Sequence, residues 1–258
     1  MQLLSSSNQG GFDFSFLASS SRGSTFNGGS VKVAIDNAEK NKEKQIEQIA
    51  KQPLVQKDLA RYAKVVKAAT TIDDVLNDPV ARKVFMKAHG LGAYADAVAL
   101  AKKAIKSDPL DEKSLAQKLS ATNATWLDVA TKYNFPLFGL IELKTTESVK
   151  EVAGNYLAEQ RLDVLDQQMP GLGSAILFKE VAPKLDTTIK ILGSALGREV
   201  VVTALGLPKQ IALQSLEAQT KAIEQRLDPK KLQKPEFVDR LIQRYLIQLN
   251  GGTGGVTA

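Results

Sequence analysis

Residues 58–91 read DLARYAKVVKAATTIDDVLNDPVARKVFMKAHGL, and residues 174–207 read SAILFKEVAPKLDTTIKILGSALGREVVVTALGL. Laid over one another without a gap, they agree at eight of 34 positions, where ordinary composition gives about two by chance. The identical pairs are Val65/Val181, Thr71/Thr187, Leu76/Leu192, Arg82/Arg198, Val84/Val200, Ala88/Ala204, Gly90/Gly206 and Leu91/Leu207. Tyr62 lies over Phe178, Val75 over Ile191 and Phe85 over Val201.

The shared positions spell out one local structure. Asp78 and Ser194 coincide, and each side-chain oxygen can accept from the free N–H groups at a helix start, with Pro79 at the first helical position of the first copy. The helix of about three turns that follows presents Val80, Val84, Phe85 and Ala88, or Leu196, Val200, Val201 and Ala204, on one face. Gly90 and Gly206 fall just past its end, where a left-handed residue is needed, and Leu91 and Leu207 can fold back on the last turn. No segment alternates with a period of two between hairpin turns. The pattern predicts an all-α, internally duplicated multi-helix bundle, with a first repeat unit over 53–141, a second over 142–250, and the two arranged about an approximate twofold axis.

Outward from this pair the copies stay parallel. Asp108-Pro109 and Asp228-Pro229 each read as a cap and first position of a further helix. Trp126 and Tyr133, seven apart, share a helical face and read as core. Phe135 to Ile141 is an apolar connector interrupted by Pro136 and Gly139, and residues 147–168 form a long helix carrying Val149, Val152, Tyr156 and Leu157. Upstream, Pro53 opens a helix whose apolar positions are Leu54, Leu59, Tyr62, Val65 and Val66. Residues 31–52 read as one charged helix with a narrow stripe of Ile35, Ala38, Ile46 and Ile49.

The two ends differ in kind. Residues 1–30 are rich in Ser and Gly and carry only Asp13 and Arg22 as charges, a composition that predicts a flexible arm. Phe12, Phe14, Phe16 and Leu17 stand out in it as a segment suited to docking on a partner. Together with Ile35, Ile46 and Ile49 they are the candidate partner contacts. Residues 251–258 read as a second flexible tail.

Of the 258 residues, 43% are hydrophobic and 24% charged, the balance of a soluble globular protein. No run of about 18 apolar residues predicts a transmembrane helix, and Met1 to Gly11 lacks the features of a secretory signal. A net charge of +6 permits nucleic-acid binding. However, the basic groups Lys102, Lys103 and Lys106, and Lys230, Lys231 and Lys234, have no interleaved aromatics and read as solvated helix faces.

The residues offer little for catalysis. There is no cysteine and one histidine, His89, placed at a helix C-terminus that favours imidazolium. Asp73 and Asp74 read as first-turn acids answering the helix dipole. Gly171-Leu172-Gly173 lacks the third glycine of a dinucleotide fingerprint and reads as a helix-breaking turn, and the C-terminal Gly-Gly-Thr-Gly-Gly lacks the lysine of a phosphate-cradling loop. No catalytic residue, cofactor or metal ligand is assigned, and the chain reads as non-enzymatic.

Asp58-Leu59-Ala60-Arg61-Tyr62, Leu76-Asn77-Asp78-Pro79, Ala88-His89-Gly90-Leu91-Gly92, Ser107-Asp108-Pro109 and Val202-Thr203-Ala204-Leu205-Gly206-Leu207-Pro208 together resemble the bacterial family Domain of Unknown Function 1217. The resemblance covers most of residues 53–249. It implies a helical protein with no established enzymatic activity and associated with the flagellum, since many members are encoded among flagellar genes of alphaproteobacteria. The expected partners are then proteins, flagellar components among them, with export by the flagellar system. The alternative is a cytoplasmic chaperone-like or regulatory protein that holds a helical client.

Overall fold

A computed structural model describes residues 28–251. The expectations for Phe12, Phe14, Phe16, Leu17 and the C-terminal tail lie outside the described residues. Among those residues every regular element is a helix. In chain order they are α1 Gly28–Lys40, α2 Lys42–Ala50, α3 Pro53–Ala68, α4 Ile72–Asn77, α5 Pro79–Ala88, α6 Val98–Ile105, α7 Leu115–Ser120 and α8 Thr125–Tyr133. Then follow α9 Phe135–Phe138, α10 Thr146–Gln168, α11 Leu172–Val181, α12 Thr188–Gly193, α13 Ala195–Ala204, α14 Leu216–Glu224 and α15 Pro235–Leu249.

The two segments that opened the sequence reading adopt the same local bonds. Thr71 begins α4 with a capping box closed by Asp74, and Thr187 begins α12 by accepting from the Lys190 N–H. The Asp78 carboxylate accepts from Val80 and Ala81 N–H, while the Ser194 hydroxyl accepts from Gly197 N–H. Arg82 donates to the Leu76 carbonyl and Arg198 to the Leu192 carbonyl. Gly90 and Gly206 have φ of 69° and 64°. Leu91 N–H returns to Met86 O at 2.8 Å and Leu207 N–H to Val202 O at 3.0 Å, so both helices end in a Schellman motif.

Downstream the segments part. Asp108 accepts from Leu110 N–H within a turn, and no α-helix follows it. Asp228 caps only a short 3-10 turn, Pro229–Gln233. A cap and a proline permit a helix start, but an apolar face to bury must follow, and Leu110 is left 82% exposed.

Two hydrophobic cores form, with α10 as the spine between them. Tyr62, Phe85, Trp126, Tyr133, Val152 and Tyr156 belong to the first core, and Leu165, Phe178, Val200, Ile242 and Tyr245 to the second. Nine residues, or about two and a half turns, separate Tyr156 from Leu165, so α10 turns opposite faces to the two lobes. The two cores therefore meet along this helix.

Residues 31–52 also depart from expectation. They form two helices, α1 and α2, whose ladder continues across Asn41 through Asn41 N–H to Asn37 O and Gln45 N–H to Asn41 O. Val31, Ile35 and Ala38 are buried in the second core, and Ile49 in the first. The Arg161 guanidinium on α10 ties the pair down by donating to the Ala38 carbonyl and to Gln45 Oε1. In α3 the buried row is Val55, Asp58, Tyr62 and Val66, while Leu54 stays 66% exposed. The helical register allowed either of two adjacent apolar residues inward, and packing selected Val55.

Candidate interaction surface

α8 ends at Asn134, whose φ of 34° is the one positive value at a non-glycine among the described residues. That turn throws the chain into the connector. Phe138 N–H bonds back to Asn134 O, Gly139 N–H to Phe135 O and Lys144 N–H to Leu140 O, so the segment is a chain of closed turns. The Phe135 ring stacks on Tyr133 at 5.2 Å with 9° between planes. Leu143 is fully buried. Lys144 Nζ donates to the Ala69 carbonyl at 2.5 Å, placing an ammonium at the C-terminal end of α3, where free carbonyls and the helix dipole favour it.

This bracing has an unusual result. Leu137, Phe138 and Ile141 are 68%, 51% and 74% exposed, on a stretch from Asn134 to Ile141 that carries no charge. Beside them lies a groove of about 450 Å³ lined by Thr70, Ile72, Pro136 and Leu140, with Asp73 and Lys106 at its edge. Those two ions are paired at 2.7 Å. The stretch from Asn134 to Ile141 is therefore apolar and uncharged, bounded by exposed Glu142, and an exposed apolar cluster of this kind marks a site of association. A second groove, of about 580 Å³, runs between the lobes from Asn123 and Thr125 to Leu177, Val181 and Leu196.

The earlier candidates fall elsewhere. Ile35 and Ile49 are 4% and 1% exposed and Ile46 is half-buried, so their apolar surface is already covered within the chain. The helical stripe they form was legible, but not that both cores lie ready to receive it. Leu137, Phe138 and Ile141 were passed over because the connector has no helical period. Its signal was an uncharged apolar run cut by Pro136 and Gly139, whose short turns cannot bury every side chain.

His89, Asp74 and the glycines Gly171 and Gly173 are held by local contacts. Burial lowers the pKa of His89, the reverse of what its helix terminus suggested. Its Nδ1 lies 2.8 Å from the Phe85 carbonyl, which requires a proton there. Nε2 is then the acceptor for the Tyr133 hydroxyl at 2.9 Å, so the ring is held neutral. Asp74 accepts from the N–H groups of Thr70 and Thr71, which draws its pKa down to about 2. Gly171 takes φ of 84°, and a Cβ at Gly173 would come within 2.7 Å of the Leu162 carbonyl, so that pair of glycines lets α11 approach α10 closely. Among the described residues, no group of three or more His, Asp or Glu is placed to hold a metal ion, and no helix is long and apolar enough to cross a membrane.

A family model described as a protein of unknown function, DUF1217, matches residues 88–238, more than half of the chain. The chain belongs to that family. The match begins in the last turn of α5 and runs through the connector and the spine into α15, so it includes Leu137, Phe138 and Ile141 of this DUF1217 chain but not Thr70, Ile72 and Asp73 of the groove. The crystal structure of protein AGR_C_984 from Agrobacterium tumefaciens is similar in fold, with a TM-score of 0.69 and 24% identity over 89% of this chain and 96% of that one. No curated protein matches the DUF1217 chain.

Proposed function

We propose that this DUF1217 chain is a non-enzymatic interaction component associated with the bacterial flagellum, and that the connector is the face it presents to protein partners. The carrying observation is the trio Leu137, Phe138 and Ile141, exposed on a charge-free segment that hydrogen bonds and ring stacking hold in place. A monomer gains nothing from such exposure, whereas an interface with an apolar centre gains from each side chain it covers. The flagellar assignment rests on the resemblance drawn from the sequence motifs. Replacing Leu137 and Ile141 with Ser is expected to leave the helical circular dichroism intact, while impairing swimming and removing the protein from purified basal bodies. Unchanged motility after deletion of the gene would overturn the flagellar role.

The second reading, a cytoplasmic chaperone-like protein holding a helical client, draws on the groove of about 580 Å³ between the lobes, where Leu177, Val181, Leu185 and Leu196 offer apolar surface. Exclusive recovery in the cytosol, with basal bodies free of the protein, would favour it.

A further inference from the structure

We propose that His89 is a proton-operated latch on the connector: a second proton on its ring unseats Tyr133 and frees the Phe135 end of that segment. The inference rests on the connector being an interaction face, and adds what regulates it.

The placement of protons on three side chains carries the argument. His89 sits at the C-terminal end of α5, where its Nδ1 donates to the Phe85 carbonyl and its Nε2 accepts from the Tyr133 hydroxyl at 2.9 Å. Tyr133 is fully buried, so its hydroxyl has no access to solvent. A second ring proton turns Nε2 into a donor. The phenol oxygen must then accept, and its own hydrogen needs a new acceptor. Ser148 Oγ on α10, also buried, is the oxygen that the hydroxyl already faces, and it lies 3.5 Å away. That is beyond the roughly 2.5–3.0 Å of a sound O–H···O bond. The arrangement therefore satisfies the neutral ring alone, and charging the ring moves Tyr133.

Charges on the neighbouring helices offset one another. Lys132 on α8 disfavours imidazolium and Glu151 on α10 favours it, and the two are paired at 2.6 Å. From α3 comes the Tyr62 phenol beside Tyr133, kept neutral by burial. The Phe85 ring packs on the imidazole at 4.5 Å. Burial is the largest influence on His89 and lowers its pKa, against the upward pull of the Phe85 carbonyl. An opened site that admits water holds the proton more tightly than the closed one. The closed form is thus at full strength above the ordinary value of 6.5, and weakens as pH falls from there through the lowered value.

The mechanical path leads to the connector. Tyr133 is the last residue of α8, and the Phe135 ring stacks on it with 9° between planes. Gly139 N–H closes the next turn on the Phe135 carbonyl, so Leu137 and Phe138 ride between these two residues. At the far end Leu143 is buried and Lys144 stays tied to the Ala69 carbonyl. Loss of the stack therefore loosens one end only, changing how Leu137 and Phe138 are presented while the helices stay in place. The second lobe has Leu205 at the position of His89, so the proton acts on one lobe.

The chain has one histidine, so a single imidazole resonance reports this ring in the full-length protein. Amide-exchange protection at Phe138 and Gly139, taken relative to the intrinsic rate at each pH, is expected to start falling near 6.5 and to level off below the imidazole midpoint. The fall should be about tenfold for each unit by which closure lowers that midpoint, with helical circular dichroism unchanged. Asp74 titrates near 2, well below this range, so its loss is a separate event. His89→Leu, the residue of the second lobe, should remove the pH dependence. Tyr133→Phe takes away the donor to Nε2 and should return the imidazole midpoint toward 6.5, a readout that does not need His89→Leu to fold. A midpoint at 6.5 in the native protein with constant protection, an equal fall in His89→Leu, or a midpoint indifferent to Tyr133→Phe would each overturn the proposal. Impaired motility in the Leu137→Ser/Ile141→Ser variant, with protection indifferent to His89, would remove the latch and keep the interaction face. Normal motility in that variant, with protection following the imidazole, would keep the latch and remove the face.

Discussion

Each lobe packs a tyrosine from its last long helix against the same two positions of the opening pair of segments. In the first lobe the Tyr156 hydroxyl donates to Asp58 at 2.7 Å, and Lys83 donates to the same oxygen at 2.8 Å. In the second, Tyr245 donates to Glu199 at 2.7 Å, with Ser174 also bonded to the hydroxyl. Asp58 lies over Ser174 and Lys83 over Glu199, so the acid has changed places while the tyrosine keeps a carboxylate to bond. Burial raises both phenols, Tyr156 and Tyr245, well above their ordinary range. What the two lobes share is a geometry that sets a hydroxyl opposite an acceptor; which helix supplies the acceptor is free to vary, because either position reaches it.

That comparison is most exposed to a change at Asp58, which is 6% exposed and serves two donors. Asp58→Ala should cost about 2 kcal/mol in denaturant unfolding, since it removes the acceptor of the buried Tyr156 hydroxyl, while the part-exposed Lys83 ammonium turns to water. Glu199→Gln keeps an acceptor for Tyr245 and should cost under about 1 kcal/mol; equal losses would mean that the two sites are not counterparts. The arginines come next. Arg82 is 9% exposed and donates to both Leu76 O and Ala95 O, whereas Arg198 is half-buried and is bonded to Leu192 O. Arg82→Ala is expected to lose about 2 kcal/mol and Arg198→Ala about half of that.

Gly90→Ala and Gly206→Ala should each lose about 1–2 kcal/mol. Nothing lies within 4 Å of the added Cβ at either position, so backbone strain is the whole cost and the two values should match. A marked inequality would show that the two helix ends differ in ways their hydrogen bonds do not reveal. The smallest effect is acid-dependent. Asp74 has a folded pKa depressed to about 2 by the Thr70 and Thr71 N–H groups, so its contribution is complete above its ordinary value near 3.8 and is lost as pH falls toward 2. The second lobe has Lys190 at that position. Amide-exchange protection at Thr70 and Thr71, taken relative to the intrinsic rate at each pH, should fall over that range, and Asp74→Asn should abolish that change in protection.

Much of this was legible in the chain itself. Cap, three-turn helix and glycine are local events, set by residues within five or six positions of one another, and both segments display them. Trp126 and Tyr133 were readable as core for the same reason. The connector was readable only as an interruption, because exposure depends on what packs above it and not on its own composition. Asp108-Pro109 and Asp228-Pro229 misled, since a good start cannot sustain a helix without a partner surface.

The sequence by itself determined the caps, the three-turn helices and the glycine ends within residues 58–91 and 174–207, because dihedral preference, capping and apolar period act over a few residues. Tertiary structure alone decided that α1 completes the second core and α2 the first, that α10 shows opposite faces to the two lobes, and that Leu137, Phe138 and Ile141 remain outside. Those outcomes depend on which distant surfaces meet, and the burial of an apolar side chain has no preferred partner until the whole chain has folded around it.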